Sequence, residues 1–128
     1  GDKILKEMTK IVQNEIRGTD FVGRYGGDEF IIVLLDFEKR APEKTLDYHG
    51  KIVEKLRKNI SNKSVISHSP EFKNKKFKFT ATFGMASCDH SISSFEELMH
   101  QADLALYMAK EAGRNCLAVY YPDKKIKI

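Results

Sequence analysis

A pair of adjacent glycines, Gly26 and Gly27, constrains the fold of this chain more than any other feature. A short apolar and aromatic run, residues 21–25, precedes the pair, and a longer apolar run follows over residues 30–35. Two apolar runs joined through Gly-Gly are typical of a β-hairpin, whose tight turn we expect to need positive φ at both glycines. The second run carries no charge on either face, so it is predicted to form a mid-sheet strand with both faces covered.

Two acidic residues, Asp28 and Glu29, stand between the glycines and this uncharged strand. A carboxylate at the mouth of a buried strand is costly to desolvate unless a metal ion, an Arg or Lys side chain, or water meets it. Because consecutive strand residues point to opposite faces, we expect the two carboxylates to have different roles. The glycines follow neither the P-loop spacing nor the dinucleotide-binding spacing, so composition alone favours a plain turn.

The composition limits the classes of protein to which the chain can belong. Its 128 residues are 41% hydrophobic and 31% charged, which is typical of one soluble globular domain. No apolar run approaches the roughly 20 residues of a membrane-spanning helix. The isolated Cys88 and Cys116 follow no metal-ligand spacing, so we expect reduced thiols in a cytoplasmic protein.

Much of the net charge of +4 comes from two lysine-rich runs, residues 73–78 and 124–127. No aromatic platform or nucleic-acid motif accompanies them, so both are interpreted as solvated surface, and the second as a frayed C-terminus. Contact with nucleic acid or a membrane is not expected. A modest positive field would favour an anionic ligand such as a nucleotide.

Hydrophobic periodicity predicts three helices. The first covers residues 2–17 and ends at Gly18, and the second begins at Pro42 and ends near residues 61–64. A capping-box pattern at Ser94 and Glu97 opens the third helix, which Gly113 ends. Its predicted buried face comprises Phe95, Leu98, Met99, Ala102, Ala105, Leu106 and Ala109.

Alternating apolar residues predict one continuous strand over residues 77–86, and a final strand is expected over residues 117–121. A short strand near residues 64–67 completes the order αββα(β)βαβ. That order predicts an α/β or α+β sandwich in which three helices flank a central mixed or antiparallel sheet. We expect one domain over residues 1–121, followed by a tail over residues 122–128.

The run Gly26-Gly27-Asp28-Glu29-Phe30 is the signature of the GGDEF domains, the diguanylate cyclase family, which this chain resembles throughout. Residues 1–5 resemble the end of a longer family segment that finishes in Gly-Asp-x-x-Leu, and residues 17–20 have the family's Arg-x-x-Asp spacing. Residues 82–86 are similar to its Ser-Ile-Gly-Ile-Ala strand. Residues 102–115 are close to its Ala-Asp-x-Ala-Leu-Tyr-x-Ala-Lys-x-x-Gly-Arg-Asn signature. The matches follow the family's order, which makes the joint resemblance specific.

The resemblance implies the nucleotidyl cyclase or polymerase-palm fold, which is ferredoxin-like, and a reaction. Such domains condense two GTP into cyclic di-GMP with loss of two pyrophosphates, and each domain of a head-to-tail homodimer holds one GTP. The reaction needs Mg²⁺ or Mn²⁺ on the phosphate oxygens and cations on the leaving pyrophosphate. A sensory domain upstream in the full-length protein is also implied.

The resemblance further implies roles for individual residues of this chain. Asp28 and Glu29 would bind the metal and act in catalysis, with activation of the attacking 3′-OH as an alternative role for Glu29. The implied substrate-binding residues are Asp2 on the guanine edge, Leu5 on the base, Gly26 and Gly27 beside the nucleotide, and Lys110 and Arg114 on the terminal phosphates. Arg17 and Asp20 would form a product-inhibition site for cyclic di-GMP.

Simpler interpretations stand beside these roles. Lys110 and Arg114, four apart on one face at the end of a helix, would also compensate the helix dipole. Asp103 on the same helix is interpreted as structural, and Arg17 with Asp20 would otherwise be an ordinary surface ion pair. For the whole domain, the alternatives are a non-catalytic sensor module that binds GTP or cyclic di-GMP and a scaffold without nucleotide function.

Members of the family carry a further strand ahead of the position that matches Gly1, with another metal-binding aspartate. We therefore expect the 128 residues by themselves to be a fragment that turns over no GTP. The first strand of the palm core would be missing beside residues 31–35. We expect domain swapping, dimer contacts or a rearranged strand order to fill its place.

Overall fold

The computed structural model of the chain describes residues 2–38, 40–66, 71, 75–89 and 92–128. Within them the fold contains three helices and seven strands, so the predicted mixed class is confirmed. The helices are α1 (Asp2–Glu15), α2 (Pro42–Asn62) and α3 (Phe95–Glu111). The strands are β1 (Phe21–Gly26), β2 (Glu29–Val33), β3 (Ser64–Ile66), β4 (Lys76–Lys78), β5 (Phe83–Ala86), β6 (Leu117–Tyr120) and β7 (Ile126–Lys127). None of the described helices is both long and apolar enough to span a bilayer.

The helices lie where the sequence predicts them because their determinants are local. Pro42 occupies the first position of α2, where its missing N–H removes no helical hydrogen bond. The apolar stripe of α2 supplies the largest fully buried side chains in the described part of the chain, Leu46, Leu56 and Ile60. Burying an aliphatic side chain of this size stabilises a fold by about 1.5–3 kcal/mol.

The predicted N-cap of α3 is confirmed, but Glu97 has a different partner from the one that a capping box gives it. The hydroxyl of Ser94 accepts a hydrogen bond from the backbone N–H of Glu97 at 3.1 Å. The Glu97 carboxylate does not return to Ser94; it accepts from the backbone N–H and the hydroxyl of Ser93, at 3.0 and 2.8 Å. The backbone hydrogen bond from Ser93 is the largest cause of a lowered Glu97 pKa, and its hydroxyl adds to the shift.

The chain divides into two compact units. Unit 1 comprises Gly1–Leu35 and Lys58–Phe79, and it holds α1, the strands β1 to β4 and the C-terminal end of α2. Unit 2 comprises Asp36–Arg57 and Thr80–Ile128, and it holds most of α2, the strands β5 to β7 and α3.

Unit 1 contains two antiparallel strand pairs. β1 pairs with β2, so that Phe21 lies opposite Val33, and β3 pairs with β4. Each pair is a two-stranded sheet among the described residues, and α1 contacts β1. The prediction that residues 30–35 form a mid-sheet strand with both faces covered is therefore wrong here. β2 has one neighbouring strand in the described part of the chain, so Ile31 and Ile32 are only half-buried and Val33 is exposed.

Unit 2 contains a three-stranded mixed sheet in the order β5-β6-β7, with β5 parallel to β6 and β7 antiparallel to β6. The chain passes from β5 to β6 through α3, which packs on both strands. Ala105 and Ala109 of α3 and Ala118 of β6 are fully buried together. α3 lies very close to the sheet, since a Cβ at Gly84 would lie only 2.3 Å from the carbonyl oxygen of Ala102.

The predicted strand over residues 77–86 is divided in the structure. β4 and β5 belong to different sheets and to different units, and residues 79–82 lie in neither strand. The alternation of exposed and half-buried residues does continue from Lys76 to Thr80. The alternation of apolar residues in the sequence therefore predicts the alternating exposure of these residues. It carries no information about which strand each part of the segment pairs with. Among the described residues the seven strands lie in three small sheets.

Two further expectations are corrected at the ends of elements. The predicted frayed C-terminus contains β7, in which Ile126 pairs with Tyr120 while the lysine side chains remain in solvent. A turn with Lys124 at φ 66° allows this return, and the N–H of Tyr121 donates to the carbonyl of Lys125 at 2.9 Å. Phe95, predicted to be buried, is 58% exposed at the first position of α3.

Candidate functional site

The acidic pair lies at the tip of the β1–β2 hairpin. Gly27 and Asp28 form a two-residue turn, and Gly26 pairs with Glu29 across it. Neither glycine has a positive φ, so the predicted turn geometry is wrong. The register shifts just before the turn because Tyr25 has no partner in the ladder. Such a bulge increases the local twist of the two strands.

Arg24 fastens this turn from the preceding strand. Its Nη2 donates a hydrogen bond to the carbonyl oxygen of Gly27 at 2.7 Å. The bond spans three residues and brings a guanidinium to the hairpin tip, beside two carboxylate-bearing positions. Sequence reasoning missed Arg24 because it was considered only as part of an apolar run. The sequence signal that could have identified Arg24 is a cationic side chain three residues before a turn glycine.

Asp28 and Glu29 are both exposed, and neither carboxylate accepts a hydrogen bond from, or forms an ion pair with, another described residue. Solvent exposure removes the desolvation cost expected for a buried strand mouth. Mg²⁺ prefers oxygen ligands and is usually held by one or two carboxylates together with substrate phosphates and water. In the described ranges no group of three or more His, Cys, Asp or Glu residues could hold a metal ion by itself. The pair therefore fits a metal site completed by phosphate oxygens.

The glycines at the tip leave space beside the carboxylates. A Cβ built at Gly26 or Gly27 would meet no atom within 4 Å. Since their φ angles are also ordinary, neither the packing nor the backbone of the described chain requires glycine at these positions.

Lys110 and Arg114 flank the C-terminus of α3 in unit 2. The N–H of Gly113 donates to Lys110 O at 3.2 Å, and the N–H of Arg114 donates to Ala109 O at 3.1 Å, which together form a Schellman motif. Gly113 has φ 114° and is the predicted C′ residue. Because α3 ends before Arg114, the prediction that Lys110 and Arg114 share one helix face is wrong. Both side chains are exposed and contact no other described residue through hydrogen bonds or ion pairs.

Arg17 and Asp20 form a tighter arrangement than an ordinary surface ion pair. The Asp20 side chain is 3% exposed, whereas that of Arg17 is 53% exposed. The Asp20 carboxylate accepts hydrogen bonds from the backbone N–H of Arg17 at 3.0 Å and of Leu35 at 2.9 Å. The Arg17 guanidinium donates to the carbonyl oxygen of Leu35. We call these contacts the Arg17–Asp20 clasp; they tie the α1–β1 loop to the chain that follows β2.

The remaining candidate residues belong to α1. Asp2 is its first residue, and the side chain of Asp2 lies outside the described part of the structure. Leu5 is half-buried, and its carbonyl accepts a hydrogen bond from the Thr9 hydroxyl at 2.9 Å. The candidate residues therefore fall into a group in unit 1, centred on the hairpin, and a pair at the end of α3 in unit 2.

Comparison with known proteins bears directly on these motifs. A family model described as "Diguanylate cyclase, GGDEF domain" matches residues 1–116. The chain belongs to the GGDEF family. This GGDEF domain is 32% identical over 115 residues to diguanylate cyclase A of Treponema denticola, across 90% of this chain. It spans 28% of the length of that relative.

Solved structures show the same fold. The GGDEF domain of DgcB from Caulobacter crescentus, in complex with c-di-GMP, matches 92% of this chain and 63% of its own, with a TM-score of 0.73 and 24% identity. Diguanylate cyclase SiaD from Pseudomonas aeruginosa, in complex with its activator SiaC, matches 92% of this chain and 40% of its own, with a TM-score of 0.76 and 25% identity. The predicted nucleotidyl cyclase palm fold is confirmed.

Proposed function

We propose that this GGDEF domain condenses two GTP into cyclic di-GMP and two pyrophosphates, as one half of a homodimer in which each domain holds one GTP. The observation that carries the proposal is the hairpin tip, where exposed Asp28 and Glu29 follow two glycines that leave open space. A relative of this chain is named as a diguanylate cyclase, which supports the same reaction. The reaction takes place in the cytoplasm, where GTP is made.

The carboxylates of Asp28 and Glu29 would hold Mg²⁺, or Mn²⁺, together with phosphate oxygens of GTP. When bound, the ion neutralises charge that develops on those oxygens. Exposure supports this role, because the carboxylate oxygens need give up no protein partner among the described residues. Asp28 is the metal-binding acid of the proposal.

As the alternative to metal binding, Glu29 is proposed to accept the proton of the attacking 3′-OH. The 3′-oxygen then bonds to the α-phosphorus of the other GTP, and the bond from that phosphorus to the bridging oxygen breaks. Pyrophosphate leaves with the bonding electrons. A positioned carboxylate of this kind contributes a rate factor of about 10²–10⁴.

Further residues of the chain are proposed to bind the nucleotide. Open space at Gly26 and Gly27 lets the backbone approach GTP. The proposed contacts are Asp2 to the guanine edge, Leu5 to the base, and the exposed cations Lys110 and Arg114 to the terminal phosphates. The cations would stabilise the negative charge of the departing pyrophosphate.

Product inhibition is proposed to depend on Arg17 more than on Asp20. The Arg17 side chain is half-exposed, and a guanidinium can bind a phosphate or a guanine edge through two hydrogen bonds. Asp20 is engaged in the clasp, so its contribution would be to hold Arg17 in place.

The test uses the protein at its natural length, incubated with GTP and Mg²⁺ and assayed for cyclic di-GMP. Asp28→Asn and Glu29→Gln preserve side-chain size and should each lower the rate by at least about 100-fold. Asp103→Asn is the matched control and should retain the wild-type rate. Contrary to the expectation that Asp103 is structural, it is exposed and its side chain forms no hydrogen bond or ion pair with a described residue. GTP binding without turnover by the wild-type protein would replace the cyclase proposal with the sensor-module alternative.

Two parallel measurements complete the test. The 128 residues alone are assayed beside the natural protein, and robust turnover would contradict the expectation that they are inactive by themselves. Titration calorimetry with cyclic di-GMP compares wild type with Arg17→Ala, which should lose binding. Unchanged binding by Arg17→Ala would remove Arg17 from the product site and leave the cyclase proposal intact.

A further inference from the structure

The turn after α3 has an unusual backbone. Gly113, Arg114 and Asn115 all have positive φ, with values of 114°, 64° and 48°. Glycine adopts such angles freely, but other residues do so at a cost in free energy and keep them only where surrounding contacts hold them. Arg114 is therefore presented on a strained turn that needs an anchor.

Asn115 supplies that anchor from two directions. The Nη1 of Arg57 donates to Asn115 Oδ1 at 2.8 Å and approaches the Asn115 carbonyl oxygen at 3.3 Å. The backbone N–H of Asn115 donates to the Thr82 hydroxyl at 3.0 Å. Asn115 is thus held through its side chain, its carbonyl and its N–H, while the Schellman bonds hold the backbone on the other side of Arg114.

Arg57 is itself fixed before it reaches the turn. Its Nε lies 3.1 and 3.0 Å from the two carboxylate oxygens of Glu54, and its Nη2 donates to the same carboxylate. The Arg57 side chain is 15% exposed. The hydrogen bond to Glu54 is the main cause of a raised Arg57 pKa, so the guanidinium stays charged. The planar guanidinium of Arg57 therefore binds Glu54 along one edge and Asn115 of the turn along the other.

We propose that Arg57 is a positioning residue for nucleotide binding, acting through Asn115 on the turn that presents Arg114. The inference rests on the proposed function in one respect, that Arg114 contacts phosphate. Arg57 would touch no substrate, since each of its three nitrogens already donates to Glu54 or to Asn115. The Arg114 guanidinium, which forms no hydrogen bond or ion pair with another described residue, is the group delivered to the ligand.

The experiment compares Arg57→Lys, Arg114→Ala and the double variant in the natural-length protein. Lysine keeps the charge and the apolar stem of Arg57, but it cannot bind Glu54 and Asn115 with one planar fork. The ligand is a GTP analogue with a methylene group in place of the α–β bridging oxygen, titrated with Mg²⁺. Each single variant should weaken binding about tenfold, and the double variant should bind no more weakly than Arg114→Ala alone.

A second measurement separates positioning from general loss of stability. Arg57→Lys should speed amide hydrogen exchange at Asn115, whose N–H is hydrogen-bonded to Thr82. The matched control is Val53→Ala, which removes buried volume one turn earlier in α2. It should lower the melting temperature without changing analogue affinity or selectively speeding exchange at Asn115.

The outcomes distinguish failure of this inference from failure of the proposed function. Unchanged exchange at Asn115 in Arg57→Lys, or additive losses of affinity in the double variant, would overturn the positioning role. Unchanged affinity in Arg114→Ala would instead overturn the assignment of Arg114 to phosphate, and with it the role of Arg57 in binding. Faster exchange together with non-additive losses supports the proposal.

Discussion

Glycines serve opposite purposes at the hairpin tip and around α3. Gly26 and Gly27 have ordinary φ angles, and a Cβ at either would meet nothing within 4 Å. Gly84 lies under α3, where a Cβ would overlap backbone atoms, and Gly113 has φ 114°. The fold itself requires glycine in the second region and leaves it optional in the first.

This difference between the hairpin tip and the surroundings of α3 shows where the effects of a substitution on stability and on function can be measured separately. At the hairpin tip a side chain can be added without disturbing any described contact, so a loss of function there would report on a ligand. Around α3 the same substitution acts first on the free energy of unfolding. Activity alone cannot tell these two cases apart, because an unfolded domain is also inactive.

The largest expected effect is on Gly84. In Gly84→Ala the new methyl group would lie 2.3 Å from both the Ala102 carbonyl oxygen and the Leu106 nitrogen. We expect the free energy of unfolding to fall by about 3 kcal/mol, since α3 must move away from β5 to relieve the overlap. Urea unfolding checks this value against Gly23→Ala, whose methyl group meets no neighbour. A small loss for Gly84→Ala would show that the two regions tolerate a Cβ alike.

The base of the hairpin should be far less tolerant than its tip. Asp20→Ala removes the acceptor for the backbone N–H groups of Arg17 and Leu35. Leaving such donors without a partner should lower the free energy of unfolding by about 2 kcal/mol. The control is Asp103→Ala, at an exposed position on α3. If both variants unfold at the same urea concentration, the clasp contributes no stability.

At the tip, Gly27→Ala should weaken binding of the methylene GTP analogue about tenfold, which corresponds to about 1.4 kcal/mol. The reason is that the methyl group occupies space proposed for the nucleotide. Its urea midpoint should match that of wild type, because the methyl group contacts nothing in the described chain. Undiminished affinity in calorimetry would mean that the open space at the tip is not used by the nucleotide.

Gly113→Ala should show a smaller loss that appears in stability. An alanine held at φ 114° is strained, so we expect a decrease of about 1 kcal/mol in the free energy of unfolding. Gly113→Asn should lose less, since asparagine tolerates left-handed backbone better than alanine. Thermal unfolding of the two variants should rank them in that order, and the reverse order would argue against strain as the cause.

The smallest expected effect concerns the start of α3 and depends on pH. The Glu97 carboxylate has a lowered pKa, mainly because the Ser93 backbone N–H donates to it. A folded-state pKa below the unfolded-state value contributes stability at neutral pH, and this contribution is lost as the pH falls through the lowered pKa. Melting temperatures of wild type and Glu97→Gln should therefore converge in acid. Parallel curves would show that the charge of Glu97 is immaterial.

Local signals carried most of what could be predicted from the sequence. Pro42, Ser94 and Gly113 mark helix ends through their own backbone and side-chain chemistry, so their positions needed no tertiary information. The acidic hairpin could also be predicted from the sequence, because its residues are adjacent in the chain and match a family signature.

Non-local partners account for what could not be predicted. The division of residues 77–86 depends on which strand each half meets, and the ladder of the hairpin shifts its register at Tyr25. The clasp joins Asp20 to a backbone group 15 residues later, and Arg57 meets a residue 58 positions away. No periodicity connects positions so far apart.

The long separation between Arg57 and Asn115 has a consequence for the order of folding. A contact that closes a 58-residue separation costs more chain entropy than the local caps of α3, so we expect it to form late. The turn bearing Arg114 would then acquire its final shape only after α2 and the β5–β6 ladder are in place. A nucleotide whose binding requires this turn would bind only to molecules in which unit 2 is fully folded. Its binding would therefore shift the folding equilibrium from partly folded to fully folded molecules.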